Sequence, residues 1–430
     1  MFARKRKCFC YLKHLCLHSF PQLYDQPRFG KVLAALFTRA TELETLSLLS
    51  CEILEVGQQV GDAFAQMKSL RVLRILDFSD HTRALLARMR TPLVCVDFNL
   101  SRLDLDQEDP VPILAPFRDT LRHVKVNWVD FTSAETQFPH VTTLEAELCH
   151  PGGLGEIAQC FPGLQNFRMH TAREDGWDDD EAEEIRAHNL QSQAVHTWPS
   201  LNSLSGSAVT LYVLGVRCHV AHIDVSCGIL VEPVDGERLA VVLADARPTR
   251  LSVHIRAWEF DATSLAQYLL PAKDSLVTLT LRIDFRGEQY EDPSPQIHAM
   301  LATLSLLSLR TIDLWVNWER PMRIYKMRFS PDDQTESSED EEPGQSIADL
   351  DLAAIALQAA CSIATLQFAI VDGRYPLRTK FFKISRNVDG PQDTPTVVEL
   401  EDGNADREAL CKEQYTRRAA DCHSSCSMYP

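Results

Sequence analysis

Ten side chains recur at the one place in a repeating pattern where they are free to meet another molecule: Arg74, Asp97, Lys125, Glu145, Arg168, Asp224, His254, Arg282, Asp313 and Trp315. Each lies between two apolar residues. On a β-strand it therefore points away from the face that its neighbours bury. Thr45, Ser47, His123, Glu147, His170 and Ser226 hold comparable positions. Both signs of charge, several histidines and a tryptophan suit recognition of a protein partner, since Trp and Arg are favoured interface anchors.

Other groups are candidates for metal or modification chemistry. Cys8, Cys10, His14, Cys16 and His18 share strand parity, and Cys and His ligands at close range can hold zinc. Their spacing matches no established finger, and same-face residues two apart sit about 7 Å from each other. Soft residues on an open strand face are the simpler reading. Cys411, Cys422, His423 and Cys426 lie in a polar tail and read as unliganded thiols. No metal or cofactor is expected. Ser337 and Ser338 lie in an acidic run that suits an acidophilic kinase. The sequence has no Gly-x-x-x-x-Gly-Lys-Ser/Thr, Gly-x-Gly-x-x-Gly, His-Glu-x-x-His or Gly-x-Ser-x-Gly segment. An enzyme is not expected.

The elements that must carry these residues are visible as a repeat. Leu43 to Ile53 reads Leu-x-x-Leu-x-Leu-x-x-Cys-x-Ile, the strand-and-turn signature of a leucine-rich repeat. Looser copies start at Leu12, Leu70, Leu93, Leu121, Val141, Leu164, Leu201, Val220, Leu276 and Leu309, with Leu251-x-Val253 between them and a last copy read as Ile363, Leu366, Phe368. Most starts lie about 20–37 residues apart. Helix-like segments precede many of the strands: Lys31 to Arg39 precedes Leu43, and Ile297 to Leu307 precedes Leu309. Three joints read Phe138-Pro139, Phe161-Pro162 and Trp198-Pro199. There proline stops the helix and the aromatic can plug the core between layers. Cys51, Cys149 and Asn317 fall at position nine of the motif, which calls for a side chain that meets backbone groups at the turn.

The predicted fold class is α/β: an irregular leucine-rich-repeat solenoid, or horseshoe, with parallel concave strands and convex helices. A doubly wound sheet is the alternative, but its central strands would read as longer apolar runs. The predicted organisation is a basic N-terminal segment over 1–10, with Arg4 to Lys7 basic, a solenoid over 11–385 with acidic insertions at about 174–184, a loop or loop-to-helix segment, and at 330–345, and a mostly disordered tail over 386–430 in which Arg407 to Ala420 can form a short helix.

Composition narrows the partners. The chain has 430 residues and a net charge of −17, which argues against a nucleic-acid backbone or an anionic membrane. No apolar run approaches a membrane span, and no signal peptide is read at the N-terminus. The 13 cysteines are odd in number and scattered, which fits reduced thiols in the cytoplasm or nucleus.

Trp198-Pro199-x-Leu201-x-x-Leu204-x-Gly206, followed by Leu211-Tyr212-x-Leu214-Gly215 and set among irregular repeats, resembles the fungal F-box-associated leucine-rich-repeat family over roughly residues 10–385. The resemblance implies a repeat domain that holds the substrate of a cullin-RING ubiquitin ligase. The F-box itself is not found: no Leu-Pro-x-Glu-Ile/Leu segment precedes the first repeat at Leu12. Docking on the ligase adaptor is expected only if an F-box lies upstream. The expected function is thus a non-catalytic protein-binding module with its ligand on the concave face. The alternatives are a phospho-regulated scaffold, or an α/β enzyme whose site is not visible in sequence.

Overall fold

The computed structural model describes residues 9–18, 27–101, 107–171, 177–230, 233–257, 264–285, 293–317, 351–373, 378–386 and 394–412. The chain forms two compact units, Met1–Cys227 and Gly228–Pro430.

In the first unit the strands follow one another across the sheet in chain order: β1 (His14–Leu17), β2 (Thr45–Leu48), β3 (Val72–Ile75), β4 (Cys95–Asn99), β5 (His123–Asn127), β6 (Thr143–Cys149), β7 (Asn166–Thr171), β8 (Ser200–Ser205) and β9 (His219–Leu230, within this unit through Cys227). Each pairing from β1 to β9 is parallel. Helices fill most of the connections, as parallel neighbours require. The register stacks like on like: Leu15, Leu46, Leu73, Val96, Val124, Leu144, Phe167, Leu204 and Ile223 form one line across the sheet. From Leu46 onward that line is fully buried. A solenoid-like α/β stack results, in which each repeat closes the interior of the one before it.

Two devices recur from repeat to repeat. One carbonyl at the foot of each strand accepts two successive N–H groups of the next: Lys13 O takes Glu44 and Thr45, Glu44 O takes Arg71 and Val72, and Arg71 O takes Val94 and Cys95. A hydroxyl just ahead of the leading apolar residue ties back one repeat. Ser69 Oγ donates to Leu43 O at 2.9 Å and Thr120 Oγ1 to Leu93 O at 2.7 Å. The same bond reappears in the second unit, from Thr365 Oγ1 to Leu309 O at 2.7 Å.

The aromatic-proline joints plug the interior as expected. Phe138 and Phe161 stack with centroids 5.2 Å apart, and Trp198 donates Nε1–H to Phe161 O at 2.9 Å. The Leu211-to-Gly215 segment is a helix end. Gly215 adopts the left-handed conformation (φ 58°), and its N–H reaches Leu211 O and Tyr212 O, closing the helix Ala208–Leu214.

The second unit holds β10 (Arg250–Arg256), β11 (Thr278–Asp284), β12 (Thr311–Asn317) and β13 (Phe368–Gly373) in parallel, then β14 (Arg378–Arg386) and β15 (Pro395–Glu399) antiparallel. Leu279 and Leu314 are buried in its interior.

Four expectations need correction. The last repeat is phased on Leu366, Ala369 and Val371, because Ala369 aligns with Ile312 and Val371 with Leu314; Phe368 instead aligns with Thr311. The parallel array ends at Gly373, and β14 turns back. Residues 394–412 are not a structureless tail: β15 pairs with β14, and 405–412 is helical. Burial of Leu400 explains this order, since it joins Ile370 and Phe381 in a separate apolar cluster packed with Leu410 and Cys411. Residues 179–184 are the first turns of the helix Asp179–Ser192, in keeping with a loop-to-helix segment; Asp178 caps it and its leading carboxylates lie at the positive end of the helix dipole. Cys10 sits in a 3-10 turn, Phe9–Tyr11, so it does not share a strand with His14 and Cys16. Residues 1–8 and 330–345, with Ser337 and Ser338, lie outside the described residues.

Candidate functional site

Register decides which of the ten residues meet. In the first unit Arg74 aligns with Asp97, Asp97 with Lys125, Lys125 with Glu145, and Glu145 with Arg168. Arg168 then aligns with Ser205, and Ser205 with Asp224. Six of the ten thus occupy one row across β3–β9, on the face opposite the leucine line. Neighbouring strands lie about 4.8 Å apart, so alternating signs at this spacing attract.

The pairs are partly formed. Lys125 Nζ lies 2.9 Å from Glu147 Oε1 and 3.9 Å from Glu145 Oε2; its side chain is 11% exposed. Arg74 Nε lies 3.9 Å from Asp97 Oδ2, and its side chain is 53% exposed. Arg168 Nε donates to His170 Nε2 at 3.0 Å. The Asp97 carboxyl is raised above its ordinary value of 3.8; burial is the main cause, opposed by Lys125 and Arg74. Beside the row runs a neutral line in which Ser203 Oγ donates to Asn166 Oδ1 (2.9 Å) and Asn166 Nδ2 reaches Thr143 Oγ1 (3.4 Å). A hydrogen-bonding surface of alternating charge, several side chains long, can bind a polar partner without a deep pocket.

In the second unit His254 aligns with Arg282, and Arg282 with Trp315; Trp315 aligns in turn with Asp372. Asp313 stands one step along, opposite Thr280. These residues bind one another. The Arg282 guanidinium carbon lies 4.8 Å from the Trp315 ring centroid, and Trp315 Nε1 donates to Asp313 Oδ1 at 2.8 Å. His254 Nε2 approaches Asp284 Oδ2 at 4.0 Å. Asp284, Asp313 and Asp372 are each no more than 2% exposed. Sequence reasoning missed Asp284, which lies two positions beyond Arg282 on β11, and Asp372, which aligns with Trp315 on the strand whose repeat was misphased.

Sequence reasoning also missed the polar side of the helix Asp179–Ser192. Asn189 is fully buried; its Nδ2 donates to Pro151 O (2.8 Å) and Val213 O (2.9 Å). Gln193 Nε2 reaches Gly215 O at 2.8 Å, while Arg186 bonds Tyr212 O and stacks on the Tyr212 ring. These side chains tie the end of the helix Ala208–Leu214 to the turn at Pro151.

The position-nine residues divide. Cys149 Sγ meets Glu147 O at 3.1 Å, as the motif requires, whereas Cys51 Sγ lies near Asp77 Oδ2 at 3.7 Å. Burial pushes the thiols of Cys149 and Cys160 up to about 12 and that of Cys218 up to about 11, far from the range of a nucleophile. Asp130 is raised by burial, with His150 opposing, yet His150 is exposed. Among the described residues, no group of three or more His, Cys, Asp or Glu side chains can hold a metal ion, and no helix is long and apolar enough to cross a membrane. The chain matches no family model and no curated protein.

Proposed function

We propose that this chain is a non-catalytic protein-binding module of the leucine-rich-repeat type, with its ligand on the face of the first unit that carries Arg74, Asp97, Lys125, Glu145, Arg168 and Asp224. The observation that supports this reading is the register: six charged side chains from six strands in one row, opposite the buried leucine line. A row of this kind offers paired donors and acceptors to an extended or helical polar segment. Its alternation also selects a partner of complementary charge order, because like charges brought together cost several kcal/mol. The resemblance to the substrate-holding part of a cullin-RING ligase belongs to the same reading. On it, the row would hold the protein to be modified, and an F-box supplied elsewhere would recruit the adaptor.

Affinity purification of the full chain beside an Arg74→Glu/Arg168→Glu variant tests this. Proteins held by the row should fall roughly tenfold or more in recovery, since each reversal turns an attraction into a repulsion. Recovery unchanged, with both proteins equally folded by circular dichroism, removes the row from the binding surface.

A further inference from the structure

A cleft of about 510 Å³ opens in the second unit, lined by Ser308, Arg310, Ala364, Thr365, Leu366, Gln367, Ile384 and Arg386. It lies at the leading ends of β12 and β13. Arg310 and Gln367 immediately precede β12 and β13, and Arg386 closes the antiparallel β14, which brings it back to the same edge. The main chain fixes this juxtaposition: Gln367 N donates to Arg310 O at 2.8 Å, and Ile384 N donates to Gln367 O at 2.9 Å.

The lining is unusual for so acidic a chain. It has two guanidinium groups, two hydroxyls, one amide and no carboxylate. Two of these groups have structural work. Thr365 donates its hydroxyl to Leu309 O, and Arg386 Nη2 donates to Ala360 O and to Ile363 O (2.9 Å) at the end of the helix Leu352–Ser362. Those bonds hold the Arg386 side chain at the cleft wall. Arg310, Ser308 and Gln367 are exposed. Among the described residues no ion pair or side-chain hydrogen bond engages Arg310. An exposed arginine and a second held in place, lining one cleft together with hydroxyl and amide donors, match the needs of a multi-oxygen anion.

We propose that this cleft binds an oxyanion, a carboxylate or phosphate group, between Arg310 and Arg386, with Ser308 and Gln367 as further donors. The apolar walls Leu366 and Ile384 give room for the carbon chain that carries the group. The site does not depend on the charged row.

The test uses the full chain and inorganic phosphate, followed by ³¹P line broadening, with acetate as the carboxylate probe. A phosphoserine hexapeptide and its unphosphorylated twin distinguish a group on a chain from a free ion. Arg310→Gln removes the exposed guanidinium without touching the Arg386 anchor; Arg118→Gln removes an exposed arginine in the first unit and serves as control. Saturable binding of either probe that weakens roughly tenfold or more in Arg310→Gln and is unchanged in Arg118→Gln supports the site. A phosphopeptide that outbinds free phosphate assigns the group to a chain, and equal binding assigns it to a free ion. No saturable binding at concentrations on the order of 10 mM, or equal loss in both variants, overturns it.

Discussion

The two sheet faces that carry the candidate residues use the same strand positions and end in different states. In the first unit the charged row leaves Arg74 half exposed and 3.9 Å from Asp97, while Lys125 is held by Glu147 at 2.9 Å. In the second, Arg282, Trp315 and Asp313 close on one another, and three carboxylates are removed from water. Parity alone does not make a surface. A charged residue opposite the leucine line can meet a partner only where its side chain stays exposed, as that of Arg74 does. On that ground we propose the first unit's row as the binding face, and read Arg282, Trp315 and Asp313 as parts of a structural network.

Stability measurements can break that contrast. Asp313→Ala strips the acceptor from Trp315 Nε1 inside a buried network and should cost about 3 kcal/mol. Glu145→Ala, in the partly exposed row, should cost less than about 1 kcal/mol. Equal losses in urea unfolding would mean that the two faces do not differ as described. Leu400→Ala comes next. It removes a 4% exposed leucine from the cluster with Ile370 and Phe381 and should destabilise the second unit by about 2 kcal/mol, read from hydrogen exchange of β14 and β15. Unchanged exchange would return residues 394–412 to the status of a loose tail.

The pH dependence sharpens the picture of the first unit. Because the Asp97 carboxyl is raised, the folded chain binds this proton more tightly than the unfolded chain does. The contribution of Asp97 to stability therefore falls as pH rises from about 3.8 through the raised value, then levels off. Asp97→Asn should remove that fall, so the stability difference between variant and parent should grow in the variant's favour across that window. A difference that is flat with pH would show that Asp97 titrates normally. Arg74→Ala should have the smallest effect, within about 0.5 kcal/mol, because the Arg74 side chain is largely exposed; a loss well above that would mean the row is locked in the free chain.

Much of the architecture was legible because the repeat writes its core positions at fixed offsets. Leu46, Leu73, Val96 and Val124 could be placed on one buried line, and their neighbours on the other face, from spacing alone. The row Arg74–Asp97–Lys125–Glu145–Arg168 followed from the same arithmetic. What failed had physical causes. The last repeat was misphased because Ile363, which ends a helix, stands three residues ahead of Leu366 and mimics the motif. Residues 394–412 read as a tail because Leu400 and Leu410 are too widely spaced to show a period. The buried Asn189 and Gln193 looked like ordinary polar helix residues, since their partners are carbonyls of a distant turn and helix end that sequence does not reveal.

The most direct test of the central proposal places a photo-crosslinking residue at Ser47 or Ser205, which lie in the charged row without carrying it, and at His188 on the helix Asp179–Ser192 as a control. Irradiation with cellular protein should yield discrete adducts from the two row positions and none in common with His188. Row positions that give no adduct, or the same adducts as His188, would contradict the claim that the first unit's open face is where this chain holds its partner.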